Sequence, residues 1–272
     1  MLGMKREQME SLRARIAQIE KRPMLAEGAA LLPQRGEQDL LAAPPGLLHE
    51  VFSDERRNGG AALGFALAQA RGLLTAERPA ILCMQLVRET QDMGLPYGAG
   101  LKSFGIDPDN VVLTRAENIV ELLWAIEEAV NCRAVAAVVA DIGNHPKALD
   151  FTASRRLSLR AASAGASVFL TRYGLEREAS AARLRWKVSP ALSGAVAFDP
   201  RAPGGPRWRV ELEKGRLGPA AQQPETTEFL LDWTENGFVV VDSSRTGDSV
   251  AGAAALPGAV PAALGDGLSQ AS

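Results

Sequence analysis

The stretch that decides the fold runs from residue 46 to residue 71 and reads GLLHEVFSDERRNGGAALGFALAQAR. It begins with a short apolar run, Gly46 to Phe52, which follows two prolines and predicts a buried strand. The polar residues 53 to 58 predict a turn, and the Ala- and Leu-rich run Ala61 to Arg71 predicts a helix. A strand, a polar turn and a helix form the setting in which phosphate-binding loops occur.

The turn lacks the residues that hold a nucleotide. In a working loop, G-x-x-x-x-G-K-[ST], backbone N–H groups bind phosphates, the lysine neutralises the outer phosphates, and the hydroxyl holds Mg²⁺. The corresponding residues are Ser53 or Asp54 at the start and Asn58, Gly59 and Gly60 at the end, with no lysine or hydroxyl after them. Asp54 also adds negative charge where a triphosphate would lie. We expect no bound cofactor and no metal, although a plain glycine-containing turn that starts a helix remains an alternative interpretation.

Composition indicates a globular protein with one main core. The chain has 272 residues, 46% of them hydrophobic, and a mean hydropathy of −0.04. Its apolar runs are too short to span a membrane and no signal-peptide core is visible, so we expect a cytoplasmic location. Two cysteines, Cys83 and Cys132, and two histidines, His49 and His145, are widely separated and show no metal-binding spacing. We expect both thiols to be buried.

Charge is distributed unevenly along the second half of the chain. Residues 151 to 217 contain thirteen Lys and Arg against five Asp and Glu, whereas residues 218 to 272 contain one against seven. A basic segment followed by an acidic one is typical of a protein with an anionic partner or a self-masking tail. Arginine is also common at protein interfaces, so the basic segment does not by itself indicate nucleic acid.

The N-terminal segment predicts a separate amphipathic helix over residues 1 to 22. Four apolar side chains recur at helical spacing and would form one stripe: Met9, Leu12, Ile16 and Ile19. Residues 23 to 45 contain Gly and Pro breaks and predict a linker, and residues 46 to 242 form the main domain. Residues 243 to 272 are rich in Gly, Ala, Pro and Ser and predict a disordered tail. We expect the apolar stripe to be a partner-binding surface or a contact between copies.

Strands alternate with helices through the first part of the main domain, which predicts an α/β fold with a mostly parallel central sheet flanked by helices. Strands are predicted at 79–86, 111–114, 133–141 and 166–172, and helices at 116–132 and 150–164. Four further strands, at 182–189, 206–213, 227–233 and 237–242, follow one another with only turns between them. They predict an antiparallel C-terminal extension of the sheet.

Several segments in this order resemble the RecA recombinase core over residues 40 to 242. They are HEVF (His49 to Phe52), YGAGLKSFGIDPDNVVL (Tyr97 to Leu113), AVAAVVADI (Ala134 to Ile142) and EKGRLGPAAQQPETTEFLL (Glu213 to Leu231). Within that superfamily, RLSLRAASAGASVFL (Arg156 to Leu170) and RWRVELEKGRLG resemble the ImuA family, RecA-like proteins found beside error-prone polymerase genes. The resemblance implies a RecA-like core.

The resemblance also implies which catalytic positions have changed. Gln85 stands where RecA has the glutamate that activates the attacking water, and an amide cannot accept that proton. Asp141 stands at the acidic position that reaches Mg²⁺ through water, and Arg172 stands near the glutamine that senses the terminal phosphate. Without loop lysine, hydroxyl and base, the chain lacks the groups on which phosphoryl transfer depends. We therefore expect a RecA scaffold that is not an enzyme.

The family resemblance implies an accessory role in the damage-induced (SOS) translesion synthesis system. The implied partners are an ImuB-type inactive Y-family polymerase adaptor, an error-prone C-family polymerase and RecA itself. RecA holds single-stranded DNA with two loops, and their counterparts here offer Lys147 in the first and Tyr173 and Arg177 in the second. Because Glu176 and Glu178 flank Arg177, we expect direct DNA binding to be weak and salt-sensitive.

Two other function classes stay open at this point. One is a divergent ATPase in which Arg56, Arg57 or a neighbouring subunit supplies the phosphate-binding charge. The other is a damage-induced inhibitor of cell division related to SulA, although SulA-type chains are shorter and lack the long strand extension. Nucleotide binding would favour the first, and inhibition of division-protein polymerisation would favour the second.

Overall fold

The fold is taken from a computed structural model, which describes residue 41 and residues 44–143, 148–196, 199–217 and 227–241. Several predicted features lie outside these residues. They are the N-terminal helix with Met9, Leu12, Ile16 and Ile19, most of the linker, Lys147, and the C-terminal tail.

Most of the strands form one large sheet. Those described are β1 (Leu48–Ser53), β2 (Ala80–Leu86), β3 (Val111–Ala116), β4 (Val135–Gly143), β5 (Ser167–Tyr173), β6 (Leu184–Pro190), β7 (Ala195–Val196), β8 (Asp199–Pro203), β9 (Arg207–Lys214), β10 (Glu228–Thr234) and β11 (Gly237–Val240). Nine of them form a sheet in the order β11-β10-β9-β6-β1-β5-β4-β2-β3, and β7 pairs with β8 separately.

Six neighbouring strands of this sheet, β6-β1-β5-β4-β2-β3, are parallel to one another, as the alternation of strands and helices predicts. Every residue of β1, β4 and β5 is buried. Near-continuous burial is typical of parallel strands that are covered on both faces. The α/β class and the mostly parallel sheet are therefore confirmed.

Five α-helices are described around the sheet: α1 (Gly59–Arg71), α2 (Val87–Met93), α3 (Gly98–Ser103), α4 (Ile119–Ala129) and α5 (Phe151–Ala164). The side chain of Asn118 caps α4 by accepting from the Glu121 N–H at 3.0 Å, and Asp150 caps α5 by accepting from the Ala153 N–H at 2.7 Å. Gly165 ends α5 with φ of 72°, a left-handed conformation that favours glycine.

Apolar side chains form one core on each face of the sheet. On the first face, α1 packs its alanines and Phe65 against β1, β4, β5 and β6. On the second face, Leu122 and Ile126 of α4 and Leu157 of α5 pack against Val138 and other residues of the parallel strands. The two faces of the central strands therefore pack against different helices, so side chains on alternate residues of one strand lie in different environments.

The antiparallel extension is confirmed, and the antiparallel pairing begins at β9. The preceding strand, β6, is instead parallel to β1. Residues 174–183, which we call the crossover segment, join β5 to β6. Because parallel neighbours start at the same edge of a sheet, this segment must run back along the full strand length, and ten extended residues span roughly 33 Å, enough to do so without a helix.

Three local features differ from the sequence-based predictions. A short helix, α2, follows β2 where no helix was predicted, and the β7–β8 hairpin lies between β6 and β9. Cys83 is buried as predicted, but Cys132 is exposed because it follows the end of α4 in the turn before β4.

Candidate functional site

The candidate site lies at the carboxyl end of β1, where the turn of residues 54–58 leads into α1. Crevices at the carboxyl ends of parallel strands are the usual ligand sites in α/β sheets. The Ser53 hydroxyl donates to the Glu55 carbonyl oxygen at 3.1 Å, and residues Arg56–Asn58 form one turn of 3₁₀ helix before α1 begins at Gly59. The strand, turn and helix of the opening stretch are therefore present.

Side chains of α2 and β5 lie close to Gly59, the first residue of α1. A Cβ atom added at Gly59 would collide with Cε of Met93 and would lie 3.0 Å from the hydroxyl oxygen of Tyr173. A Cβ at Gly60 would meet no atom within 4 Å. A side chain at Gly59 would therefore have to displace the flexible end of Met93 and would crowd Tyr173, whereas position 60 has open space beside it.

Asp141 lies in a buried polar cluster beside this turn. It is on β4, accepts a hydrogen bond from the Thr171 hydroxyl at 3.2 Å and interacts with Tyr173. Burial raises the pKa of Asp141, the negative charge of Glu89 raises it further, and the hydrogen bonds with Tyr173 and Thr171 oppose the rise. Glu89 is itself buried and pairs with Arg56 at 2.5 Å. Within the described residues, no group of three or more His, Cys, Asp or Glu side chains could hold a metal ion.

Gln85 is buried near the end of β2, in register with Asp141 on one side and Arg115 on the other. Its Nε2 donates to the Gly94 carbonyl oxygen at 3.3 Å. An amide in this setting has no basic lone pair with which to activate water.

A second cluster lies on the opposite face of β1, around the ring of Phe52. Three guanidinium carbons lie over this ring, those of Arg177, Arg172 and Arg185, at 4.1, 4.9 and 5.5 Å from its centroid. Guanidinium groups at such distances attract the face of an aromatic ring. Arg172 and Arg177 were both named from the sequence, but in separate roles, and nothing in the sequence indicated that they lie together.

Glu50 is the carboxylate at the centre of this cluster, and its side chain is completely buried. It accepts from Arg172 at 3.2 Å, from Arg185 at 2.9 Å and from the Ser180 hydroxyl at 2.7 Å. A buried carboxylate is stable only when it is paired and hydrogen-bonded. Glu50 was not predicted as a functional residue, although a glutamate within a predicted buried strand, LHEVF, indicates a paired charge.

Ion pairs also hold the crossover segment against the turn. Arg177 donates to Asp54 at 2.8 Å and to Glu213 of β9 at 2.9 Å, and Lys187 pairs with Asp54 at 3.2 Å. Partial burial raises the pKa of Asp54, but the hydrogen bonds and charges of Arg177 and Lys187 outweigh it and lower the pKa overall. The negative charge of Asp54 is therefore already neutralised within the protein.

Further contacts fix the rest of the crossover segment on the second face of the sheet. Glu178 pairs with Arg172 at 2.8 Å, and the Ala181 N–H donates to the Ser154 hydroxyl of α5 at 3.0 Å. Leu175 and Glu176, at the tip of the segment, are exposed. The segment is therefore pinned on both sides of that tip.

Tyr173 and Arg177 are the two residues of the predicted DNA-binding set that the structure describes, and both make contacts within the protein. Tyr173 is the last residue of β5, is only 6% exposed and lies against Asp141, so its ring is not free to stack on a base in this arrangement. Arg177 has a side chain 18% exposed, and two carboxylates already pair with it. The structure thus does not bring these residues together as an exposed DNA-binding surface.

The residues at the end of β1 do not fit a nucleoside triphosphate with Mg²⁺. The loop has no lysine or hydroxyl at its end, Met93 and Tyr173 lie against Gly59, and Asp54 is paired with cations from the crossover segment and β6. Triphosphate binding in such a loop depends on a cation and on accessible backbone N–H groups at the start of the helix.

His49 lies on the first face of β1, within the core. Its ring stacks on Phe169 with centroids 4.3 Å apart, and Trp186 Nε1 donates to its Nδ1 at 3.4 Å. Burial lowers the pKa of His49 to about 3, so the ring is neutral at physiological pH.

Comparison with known proteins gave two curated relatives, each named Protein ImuA, from two strains of Caulobacter vibrioides, NA1000 and CB 15. Each is 34% identical to this chain over 187 residues, which cover 64% of this chain and 72% of the relative. No family model matches the chain. No helix among the described residues combines the length and apolar character needed to cross a membrane.

Proposed function

The chain belongs to the ImuA family, which takes part in damage-induced mutagenesis, and from this premise we propose that it is a non-catalytic accessory protein of translesion DNA synthesis. It contributes binding surfaces on a RecA-like scaffold instead of ATP hydrolysis. Its proposed partners are an ImuB-type adaptor and an error-prone C-family polymerase, with RecA as a further contact.

The observation that carries this proposal is the set of internal contacts at the carboxyl end of β1. Asp54 binds Arg177 and Lys187, and Met93 lies where a side chain at Gly59 would have to go. Phosphoryl transfer depends on cations, metal and a positioned water at this end of the strand. Because these groups already bind one another, we propose that the scaffold acts through protein–protein contacts and not through phosphoryl transfer.

We assign partner capture to the apolar stripe of the N-terminal segment. Burying four such side chains contributes about 1.5 to 3 kcal/mol each before ordering costs, which is enough to decide an association. The stripe consists of Met9, Leu12, Ile16 and Ile19. Direct DNA binding is proposed to be weak, because Arg177 is already paired and glutamates flank it.

The proposal is tested by affinity capture of the tagged chain from cells exposed to a DNA-damaging agent, followed by mass spectrometry. We expect the ImuB-type adaptor and the C-family polymerase among the captured proteins. Leu12→Asp with Ile16→Asp should abolish capture while the far-ultraviolet circular dichroism and melting temperature of the core stay unchanged.

The matched control is Ser11→Asp with Gln18→Asp, which adds the same charge on the polar side of the same segment. It should capture the partners as the unmodified chain does. If the apolar-stripe variant melted many degrees lower and its folded fraction still captured partners, the stripe would instead be packed on its own core.

A further inference from the structure

Two helices on the second face of the sheet expose apolar side chains that nothing in the described chain covers. On α4, the side chains of Val120 and Trp124 are 70% and 65% exposed, and on α5, Phe151 and Leu159 are half exposed. An open groove of about 520 Å³ lies between the two helices, and Leu123 is among the residues that line it. The other three tryptophans are buried in the core on the opposite face, so Trp124 is the one tryptophan that is largely exposed.

The same surface carries acidic side chains on one helix and basic side chains on the other. Glu127 of α4 pairs with Arg156 and Arg160 of α5, which joins the two helices within the chain. Glu128 of α4 and Arg155 of α5 are exposed, and their side chains have no hydrogen bond or ion pair to any described residue. We call the exposed residues of these helices the α4–α5 surface, and its two sides have opposite charge.

We propose that the α4–α5 surface binds the same surface of a second copy of this chain, with α4 of each copy lying on α5 of the other. A two-fold interface is formed by one patch that is complementary to itself. A patch with an acidic helix beside a basic helix meets this condition, because rotation about an axis parallel to the helices sets each acidic helix against a basic one. A two-fold axis that lies in the interface and runs across the helices would instead place α4 on α4 and set glutamate against glutamate, which is unfavourable.

The contact within the chain also fixes which residues meet. The two helices run in the same direction, because each leads from the end of one parallel strand to the start of the next. Since Glu127 contacts Arg156 and Arg160, Trp124 lies about level with Arg155. A two-fold axis along the helices preserves these levels, so Arg155 of the second copy lies over the Trp124 ring. A guanidinium over an indole in an apolar groove is typical of an interface hot spot.

The proposal is tested by sedimentation velocity of the full chain over a range of concentrations. We expect a reversible dimer, and Trp124→Asp should raise its dissociation constant at least about thirtyfold. The control, Leu192→Asp, introduces the same charge at an exposed leucine outside the helices and should leave the constant unchanged. Circular dichroism and thermal melting establish that both variants are folded.

Charge reversal tests the arrangement independently of the tryptophan. Arg155→Glu and Glu128→Arg should each weaken the dimer about tenfold, and the two changes together should restore most of the affinity. Leu12→Asp with Ile16→Asp should leave the dimer intact, since the contact does not involve the N-terminal segment. A chain that is monomeric at every concentration, a dimer that survives Trp124→Asp, or a double reversal without recovery would each overturn the proposal.

Discussion

The carboxyl end of β1 and the α4–α5 surface differ in how their charged side chains are used. At the end of β1, Glu50 and Asp54 are each paired with two cations from β5, β6 or the crossover segment. On the α4–α5 surface, Glu128 and Arg155 are exposed and unpaired among the described residues. The first region uses its charges to hold the fold together, and the second leaves them available to another molecule.

The largest expected effect tests whether the paired region is structural. Glu50→Gln keeps the shape of the side chain but leaves Arg172 and Arg185 without their buried carboxylate. We expect the free energy of unfolding to fall by about 3 kcal/mol in urea titrations, because the buried Arg185 loses its carboxylate while Arg172 keeps only the partly exposed Glu178.

The matched control is Glu55→Gln in the neighbouring turn, where the carboxylate is about half exposed and pairs with exposed Arg57. An exposed pair contributes about 0 to 1 kcal/mol, so the control should change stability little. Equal small losses for both variants would show that the Glu50 cluster does not stabilise the fold.

His49, in the core on the first face of β1, should make the stability of the fold sensitive to acid. Its pKa is about 3 in the folded protein and 6.5 in an unfolded chain, so between these values the unfolded state binds the extra proton. The free energy of unfolding therefore falls as the pH is lowered from about 6.5, by at most about 1.4 kcal/mol per pH unit. His49→Gln should show a flatter curve than the unmodified chain between pH 6.5 and 4. Parallel curves for the two proteins would contradict this origin of the acid sensitivity.

A smaller effect is expected at Asp54, whose ion pairs are partly exposed. Because the pKa of Asp54 is lowered in the folded protein, its contribution is present above the ordinary pKa and is lost as the pH falls through the folded value. Asp54→Asn should cost about 1 kcal/mol or less at neutral pH. It should also speed amide hydrogen exchange in residues 175–179, whereas Asp109→Asn, at an exposed carboxylate, should not. Unchanged exchange would show that Asp54 does not hold the crossover segment.

Much of the fold could be predicted because its signals are local. Apolar runs located β1, β2, β4 and β5, and the helix predicted over residues 150–164 corresponds to α5. The path of the crossover segment was harder to predict, because no local sequence signal indicates at which edge of the sheet β6 starts. A short connection between strands usually makes an antiparallel pair, and here the chain returns to the same edge instead.

The site could be predicted only in part, for a related reason. The missing lysine and hydroxyl are visible in the loop itself, but the partners of Glu50 and Asp54 depend on tertiary structure. Arg185 lies 135 residues after Glu50 in the chain, and Arg177 lies 123 residues after Asp54. Tyr173 was predicted to be available for stacking because its contacts with Gly59 and Asp141, which come from other elements, are not visible in the local sequence.

Calorimetric titration of the chain with Mg-ATP measures whether the groups at the carboxyl end of β1 bind one another instead of a nucleotide. We expect no measurable binding heat, because the loop lacks the lysine and the hydroxyl that hold phosphate and Mg²⁺. Gly59→Lys with Gly60→Thr should also fail to create ATP hydrolysis, because Gln85 still cannot act as the base. Binding of Mg-ATP to the unmodified chain with micromolar affinity would contradict the claim.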